Sequence, residues 1–260
     1  MKIFIFKKRL VLIFFILLII ILLSFLRLNY SYATFLSQGE ILDDNFINKF
    51  NSICSNSEKI AYLTFDDGPT YKVTPKILDI LKKENVKATF FVVGKHVKEY
   101  PEIVKRAYTE GHFIANHGYS HNNKLLYKSE TDFCNEILNT DIEIAKAIEK
   151  PNYCSHVFRF PNGYSTPSYK NKKKIFVNKL AELNYVYIDW NCLNRDSEKK
   201  YSNYNLLKNL KKTSKNKGTL VILMHDTGDV NNTYDVLKDS IIYLKSQGYV
   251  FKNFYDLLGP

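Results

Sequence analysis

The chain has 260 residues, 45% of them apolar and 24% charged, and a formal charge of +11 at pH 7. That composition excludes large-scale disorder and supplies enough chain for one sizeable domain. Five of the 37 basic residues and none of the 26 acidic ones precede Thr34, so the remainder carries only +6. Its lysines are scattered, with short runs at Lys172-Lys173-Lys174 and Lys211-Lys212. No basic stripe is interleaved with aromatics, which argues against nucleic acid as a partner.

Lys2, Lys7, Lys8 and Arg9 precede an apolar run from Leu10 to Leu26 that Ser24 alone interrupts. A basic start followed by ~17 apolar residues is the pattern of an export signal with its basic end kept in the cytoplasm. Residues 1–28 therefore read as a signal anchor, a single membrane helix that leaves the rest of the chain outside the cell. Ser31 and Ala33 supply a Ser-Tyr-Ala pattern that permits the alternative, cleavage and secretion. Residues 29–57 are polar and mixed and read as a spacer, and 58–260 as the folded domain.

From Ile60 onward, short β-type runs alternate with segments of helical period. Strand 60–65 precedes helix 73–83, 88–93 precedes 98–110, 113–115 precedes 132–148, and 156–160 precedes 172–183. Strand 185–188 then precedes helix 203–212, 219–224 precedes 234–247, and a last strand, 249–251, leads into a terminal helical turn. This is the rhythm of a parallel sheet with crossover helices. About seven units in roughly 200 residues predict an α/β fold of the (β/α) barrel type, distorted and short of eight units. No Gly-x-Gly-x-x-Gly follows the first strand, which counts against a dinucleotide fold.

Cys54, Cys134, Cys154 and Cys192 lack the close pairs of a zinc knuckle. In an exported chain Cys134 and Cys154 could bridge around one expected helix, and four free thiols fit the spacing equally well. Cys192 reads as a small buried side chain.

In a parallel barrel the carboxyl ends of the strands open on one face, and that face holds the chemistry. Asp66 and Asp67 end the first strand, before the turn pair Gly68-Pro69. Neighbouring side chains on extended chain point apart, so one carboxylate can hold a metal while the other acts on water. Asn116 to His121 follow the third strand, Arg159 to Gly163 the fourth, Asp189-Trp190 the fifth and His225-Asp226 the sixth. His117 and His121 are four apart, the spacing that sets two imidazoles on one side of a helical turn. With Asp67 they make a two-histidine, one-carboxylate set that leaves positions for water and substrate.

Thr64-Phe65-Asp66-Asp67-Gly68-Pro69, His117-x-x-x-His121, Arg159-x-Pro161, Asp189-Trp190 and Leu223-x-His225 resemble, in that order, the five motifs of the polysaccharide deacetylases, carbohydrate esterase family 4. The resemblance runs from Ile60 to the C-terminus and is closest to the bacterial peptidoglycan deacetylases. It implies metal-dependent hydrolysis of N-acetyl groups on the amino sugars of a cell-wall glycan. Asp67, His117 and His121 would then hold a divalent metal, zinc in the usual case, and Asp66 would be the general base. His225 would be the general acid and the backbone N–H of Asn162 the donor to the oxyanion. Asp189 would pair with His225 and keep it a proton donor, and Arg159 would orient Asp66. Trp190 is either a wall for the sugar ring or a core side chain.

The family commonly has Ser or Thr after the first metal histidine; Gly118 stands there, with Ser120 the nearest hydroxyl. His96, His112 and His156 have no place in the pattern and read as structural or exposed. Two other functions stay open: an O-acetyl esterase on a wall or plant polysaccharide, and a catalytically silent glycan-binding module. The module would be marked by a lost ligand, base or acid, and none is lost.

Overall fold

The computed structural model describes Leu42, 44–227, Asn231 and 233–258. The expected membrane helix and the first part of the spacer lie outside these residues. Among the described residues no helix is long and apolar enough to cross a membrane. The described residues from Leu42 to Leu258 belong to one compact unit.

Among the described residues eight strands form one parallel sheet: β1 (Ile60–Asp66), β2 (Thr89–Val92), β3 (Phe113–Asn116), β4 (Val157–Phe158), β5 (Val186–Tyr187), β6 (Cys192–Leu193), β7 (Leu220–His225) and β8 (Val250–Lys252). Their order is β5-β4-β3-β2-β1-β7-β6. β8 pairs with the first half of β1, Ile60 opposite Val250, and β2 with its second half, Thr64 opposite Thr89. No ladder among the described residues joins β5 to β6, so the strands make a half-barrel, an open version of the expected ring.

The period of two along β1 divides the core. Ala61, Leu63 and Phe65 pack outward with Ile77, Leu78, Phe90 and Ile222, under the helices. Ile60 and Tyr62 face inward with Phe91, Phe113, Val221 and Phe254. A third cluster stacks Phe133, Phe158, Phe160 and Phe176 behind the end of β4. All seven residues of β1 are buried, as expected of a strand covered on both faces.

The helices are α1 (Asp44–Asn51), α2 (Thr74–Lys83), α3 (Gly94–Glu99), α4 (Pro101–Thr109), α5 (Asn123–Leu126), α6 (Glu130–Ala147), α7 (Lys170–Glu182), α8 (Asn203–Ser214), α9 (Tyr234–Ser246) and α10 (Tyr255–Leu258). Four elements depart from expectation, the single-turn α5 among them. The helix expected over 98–110 is two, because Pro101 starts α4 and Tyr100 before it leaves the helical region, at φ −130° and ψ 58°. α1 lies within the stretch read as spacer, and its Phe46 and Phe50, with Ile53 beyond it, are buried against Ile60, Tyr62 and Phe254. The folded unit therefore begins well upstream of residue 58. The two-residue β6 is absent from the sequence-based expectation and decides the make-up of the site. All four cysteines are free, so Cys134 and Cys154 do not bridge; the Cys154 thiol instead lies 3.5 Å from the Tyr185 hydroxyl.

Candidate active site

Asp67 leaves β1 with φ +78°, held by His96, whose Nδ1 donates to the Asp67 carbonyl at 2.8 Å. His117 follows β3 and commits Nδ1 to the Arg159 carbonyl at 2.8 Å, which turns Nε2 toward Asp67 Oδ1, 3.2 Å away. His121 Nε2 reaches the same oxygen at 3.0 Å. The segment joining the two histidines is a loop, in contrast to the expected helical turn: Gly118 at φ +81° and His121 at φ +54° fold it back on itself. The bracing expected of a hydroxyl comes from Glu136 of α6, whose Oε2 accepts the N–H groups of Tyr119 and Ser120 at 2.8 and 2.7 Å. Asn116 Oδ1 accepts the Gly118 N–H at 2.9 Å.

Burial pushes the Asp67 carboxyl upward, but hydrogen bonds from His117 and His121 and their charge outweigh it and hold it well below the usual carboxylate range. Burial likewise pushes His121 down, and Asp67 outweighs it upward. One donor atom from each of Asp67, His117 and His121 lies within 4.8 Å of the others. With the His117 ring oriented by a backbone carbonyl, this mixed nitrogen and oxygen set fits a divalent metal that keeps open positions.

Arg159 is fully buried behind the trio. Its Nη1 donates to Asp66 Oδ1 at 2.8 Å and Thr64 Oγ1 at 2.7 Å, and its Nε to the Ile188 carbonyl at 3.0 Å. The guanidinium lies 4.0 Å from the centre of the Phe91 ring. Asp66 thereby has Oδ1 pinned, and Oδ2 faces His117 Nε2 at 3.8 Å. Removing either partner would strand a buried charge, at a cost of about 3–5 kcal/mol.

His225 ends β7 across the cleft. Its Nδ1 lies 2.8 Å from Asp196 Oδ1, and its backbone N–H donates to Asp196 Oδ2 at 2.8 Å. The Thr233 hydroxyl donates to that same Oδ2. Burial alone would lower the imidazolium pKa, but the Asp196 hydrogen bond and charge, helped by Asp66 and Asp67, raise it to about 9.

The expected partner, Asp189, does something else: its carboxylate accepts the N–H groups of Tyr164 and Ser165 at 2.7 and 3.0 Å. The reason is topological. β5 borders β4 at one end of the sheet, so the residues that follow β5 meet the loop that follows β4. β6 borders β7, Leu193 opposite Leu223, so the residues leaving β6 come alongside His225. Asp196 carries no signal in the sequence because a strand of two residues has no readable period.

Asp66, Asp67, His117, His121, Asn162, Trp190 and His225 line one cleft of about 380 Å³, with Thr166, Leu193, Ser197, Glu198 and Leu223. Arg159 and Asp189 stand behind it. Trp190 is both wall and packing: it also lies against Gly163, where an added Cβ would fall 2.8 Å from the indole. His112 is structural, its Nδ1 accepting the Ala88 N–H at 3.1 Å, and so is His156, bonded to the Asn184 carbonyl at 2.8 Å.

The family model described as polysaccharide deacetylase matches residues 54–187. The chain belongs to the polysaccharide deacetylase family. Among other members, the peptidoglycan-N-acetylmuramic acid deacetylase of Bacillus subtilis is 31% identical, over 83% of this chain and 78% of its own. A peptidoglycan-N-acetylglucosamine deacetylase of Bacillus cereus is 38% identical, over 75% of this chain and 66% of its own. A solved CE4 esterase of Streptococcus mutans superposes with a TM-score of 0.71 at 30% identity, covering 79% of this chain and 90% of that one. The matched family stretch holds Asp66, Asp67, both histidines of the trio and Arg159. It stops short of His225, which the fold of this polysaccharide deacetylase brings to the same cleft, and of Asp196, buried behind that histidine.

Proposed function

We propose that this protein is a metal-dependent deacetylase that hydrolyses N-acetyl groups on the amino sugars of cell-wall peptidoglycan, releasing acetate. The observation that carries the assignment is the meeting, in one cleft, of three kinds of group. They are a two-histidine, one-carboxylate donor set, a second carboxylate with one oxygen pinned by Arg159, and a histidine backed by Asp196. Similarity to deacetylases of peptidoglycan supports the substrate class.

Asp67, His117 and His121 would hold the metal, and two imidazoles with one carboxylate favour zinc. A bound metal supplies a more acidic water and a polarised acetyl carbonyl. Asp66 takes the proton of the attacking water through Oδ2, because Oδ1 is occupied by Arg159. The Asn162 N–H donates to the oxyanion that forms. His225 gives its proton to the departing amine through Nε2, with Nδ1 and the ring orientation fixed by Asp196. Trp190 offers its face to the sugar. Residues 1–28 would anchor the enzyme in the cell membrane with the catalytic domain outside, where its polymer lies.

One observation favours a second activity, ester cleavage on O-acetylated glycan: the solved relative from Streptococcus mutans is named an esterase. The zinc-loaded protein should be incubated with peptidoglycan, released acetate measured, and the muropeptides weighed by mass spectrometry. The expected products are muropeptides lighter by one acetyl group, whose position tells N-acetylglucosamine from N-acetylmuramic acid. Acetate release that survives chelation would sink the metal's role. Release from O-acetylated but not matched N-acetylated substrate would replace the amidase with the esterase, and glycan binding with no release at all would leave only a binding module.

A further inference from the structure

Asn162 sits in a tight turn. The Gly163 N–H donates to the Phe160 carbonyl at 2.7 Å, Pro161 is second in the turn, and Asn162 is third with φ +65°. Proline second and a positive φ third are the marks of a type II turn. A type I turn with the same ends differs by a flip of the central peptide, the one that carries the Asn162 N–H. A residue with a side chain is kept at positive φ by what surrounds it.

Here the surroundings are two opposite charges. Lys173, on α7 and only 1% exposed, donates through Nζ to the Gly163 carbonyl at 2.5 Å and to Thr166 Oγ1 at 2.7 Å. The Thr166 hydroxyl donates to that same carbonyl at 3.0 Å. From the other side, Asp189 Oδ1 accepts the Tyr164 N–H at 2.7 Å, while Oδ2 accepts the Ser165 N–H at 3.0 Å and its hydroxyl at 2.9 Å. The peptide between Gly163 and Tyr164 is thus gripped at its oxygen by an ammonium and at its nitrogen by a carboxylate. Gly163 is itself at φ +81° and lies against Trp190, so the chain has little freedom on that side either.

Burying a lysine is costly, and apolar side chains of similar size usually fill such space with equal or greater stability. Burial lowers the Lys173 pKa, with Asp189 opposing the shift. The acceptors Lys173 reaches all belong to Gly163 and Thr166, and the Asp189 carboxylate serves Tyr164 and Ser165. A lysine buried at such cost, with the partly exposed Asp189 opposite it, serves the orientation of one short stretch of backbone.

We propose that Lys173 and Asp189 are positioning residues, a clamp that holds the turn at 160–165 so that the Asn162 N–H meets the oxyanion; this rests on the deacetylase assignment above. Neither side chain touches a reacting atom. Loosening the clamp should therefore weaken binding of the transition state and spare that of the substrate, lowering kcat at nearly constant KM.

The test uses the full-length, zinc-loaded protein and the variants Lys173→Met and Asp189→Asn, with acetate release from N-acetylated muropeptides giving kcat and KM. Zinc content and thermal midpoint are measured alongside. For Lys173→Met, kcat should fall about 10- to 100-fold, the range expected when a transition-state donor is misplaced rather than deleted. KM should stay within about threefold, since ground-state contacts are kept. Asp189→Asn keeps one acceptor oxygen and should lose less, with the same split. Variants that are folded and zinc-loaded yet keep kcat within about twofold of the parent would overturn the clamp, because a real orienting role must appear in kcat. So would a loss of kcat that merely tracks a loss of zinc. If Lys173→Met does not fold, the partly exposed Asp189 decides the matter alone. A parent that releases no acetate overturns the deacetylase assignment and the clamp's catalytic role with it, whereas an active parent with unaffected variants overturns the clamp only.

Discussion

The two sides of the cleft are assembled by different means. On one side Asp66 and Asp67 are adjacent, His117 and His121 share one loop, and a single strand, β2, separates β1 from β3. On the other side His225 takes its partner, Asp196, from a point 29 residues away, and the Asn162 turn is gripped by Asp189, 25 residues beyond Tyr164. The first side stands on readable strand ends, although Arg159 reaches Asp66 across 93 residues of chain. The second side draws its supports from β6 and from the residues after β5, so they can tune rate and pH dependence while the metal trio stays whole.

The largest effects should fall on the first side. Chelation should abolish acetate release, and added zinc should restore it; activity insensitive to both would contradict the trio's role. Asp66→Asn should cost about 10³-fold in kcat, within the range for a lost general base, while zinc binding stays intact. A variant as active as the parent would remove Asp66 from the mechanism.

On the second side, Asp196→Asn should lower kcat by about 10²-fold, as expected when an acid loses its orienting partner. It should also change the pH dependence. As the proposed acid, His225 acts only when protonated, so activity should fall as pH rises through its pKa, about 9 with Asp196 in place. Without the Asp196 charge that limb should move to lower pH. The same group links pH to stability, with the sign fixed by its raised folded-state pKa. Its contribution is fully present below the unfolded value of about 6.5 and is lost as pH climbs through 9. Melting temperature should therefore decline between those values, and decline less in Asp196→Asn.

A smaller effect is expected where the two sides touch. A Cβ at Gly68 would fall 2.0 Å from the buried Asp226 carboxylate, which Thr74 holds at 2.7 Å. Gly68→Ala should destabilise by about 1–3 kcal/mol, the usual range for overpacking, and lower the melting temperature. An unchanged midpoint would mean that Asp226 moves aside freely. The smallest effect belongs to Cys134→Ser, which breaks no bridge and should leave the melting temperature the same with or without reductant.

What is legible in the sequence follows the same division. β1, its aspartate pair and the two histidines can be read because strand period and motif spacing are local properties. Even there the spacing of four suggests a helical turn, where positive φ at Gly118 and His121 builds a loop. α1 carries a signal only two turns long: Phe46, Phe50 and Ile53 stand at the four- and three-residue spacing of one helix face, within a stretch otherwise polar and mixed. Asp189 is expected beside His225 because it stands at the end of a readable strand. Only the pairing of β6 with β7, between stretches about 30 residues apart, shows that Asp196 takes that place.

The most direct test is the pH dependence of kcat for zinc-loaded parent, Asp196→Asn and Asp189→Asn, measured side by side. The basic limb should move to lower pH in Asp196→Asn alone, and Asp189→Asn should lower kcat without moving it. A limb that shifts in Asp189→Asn and stays fixed in Asp196→Asn would contradict the acid side of the site as drawn from this fold.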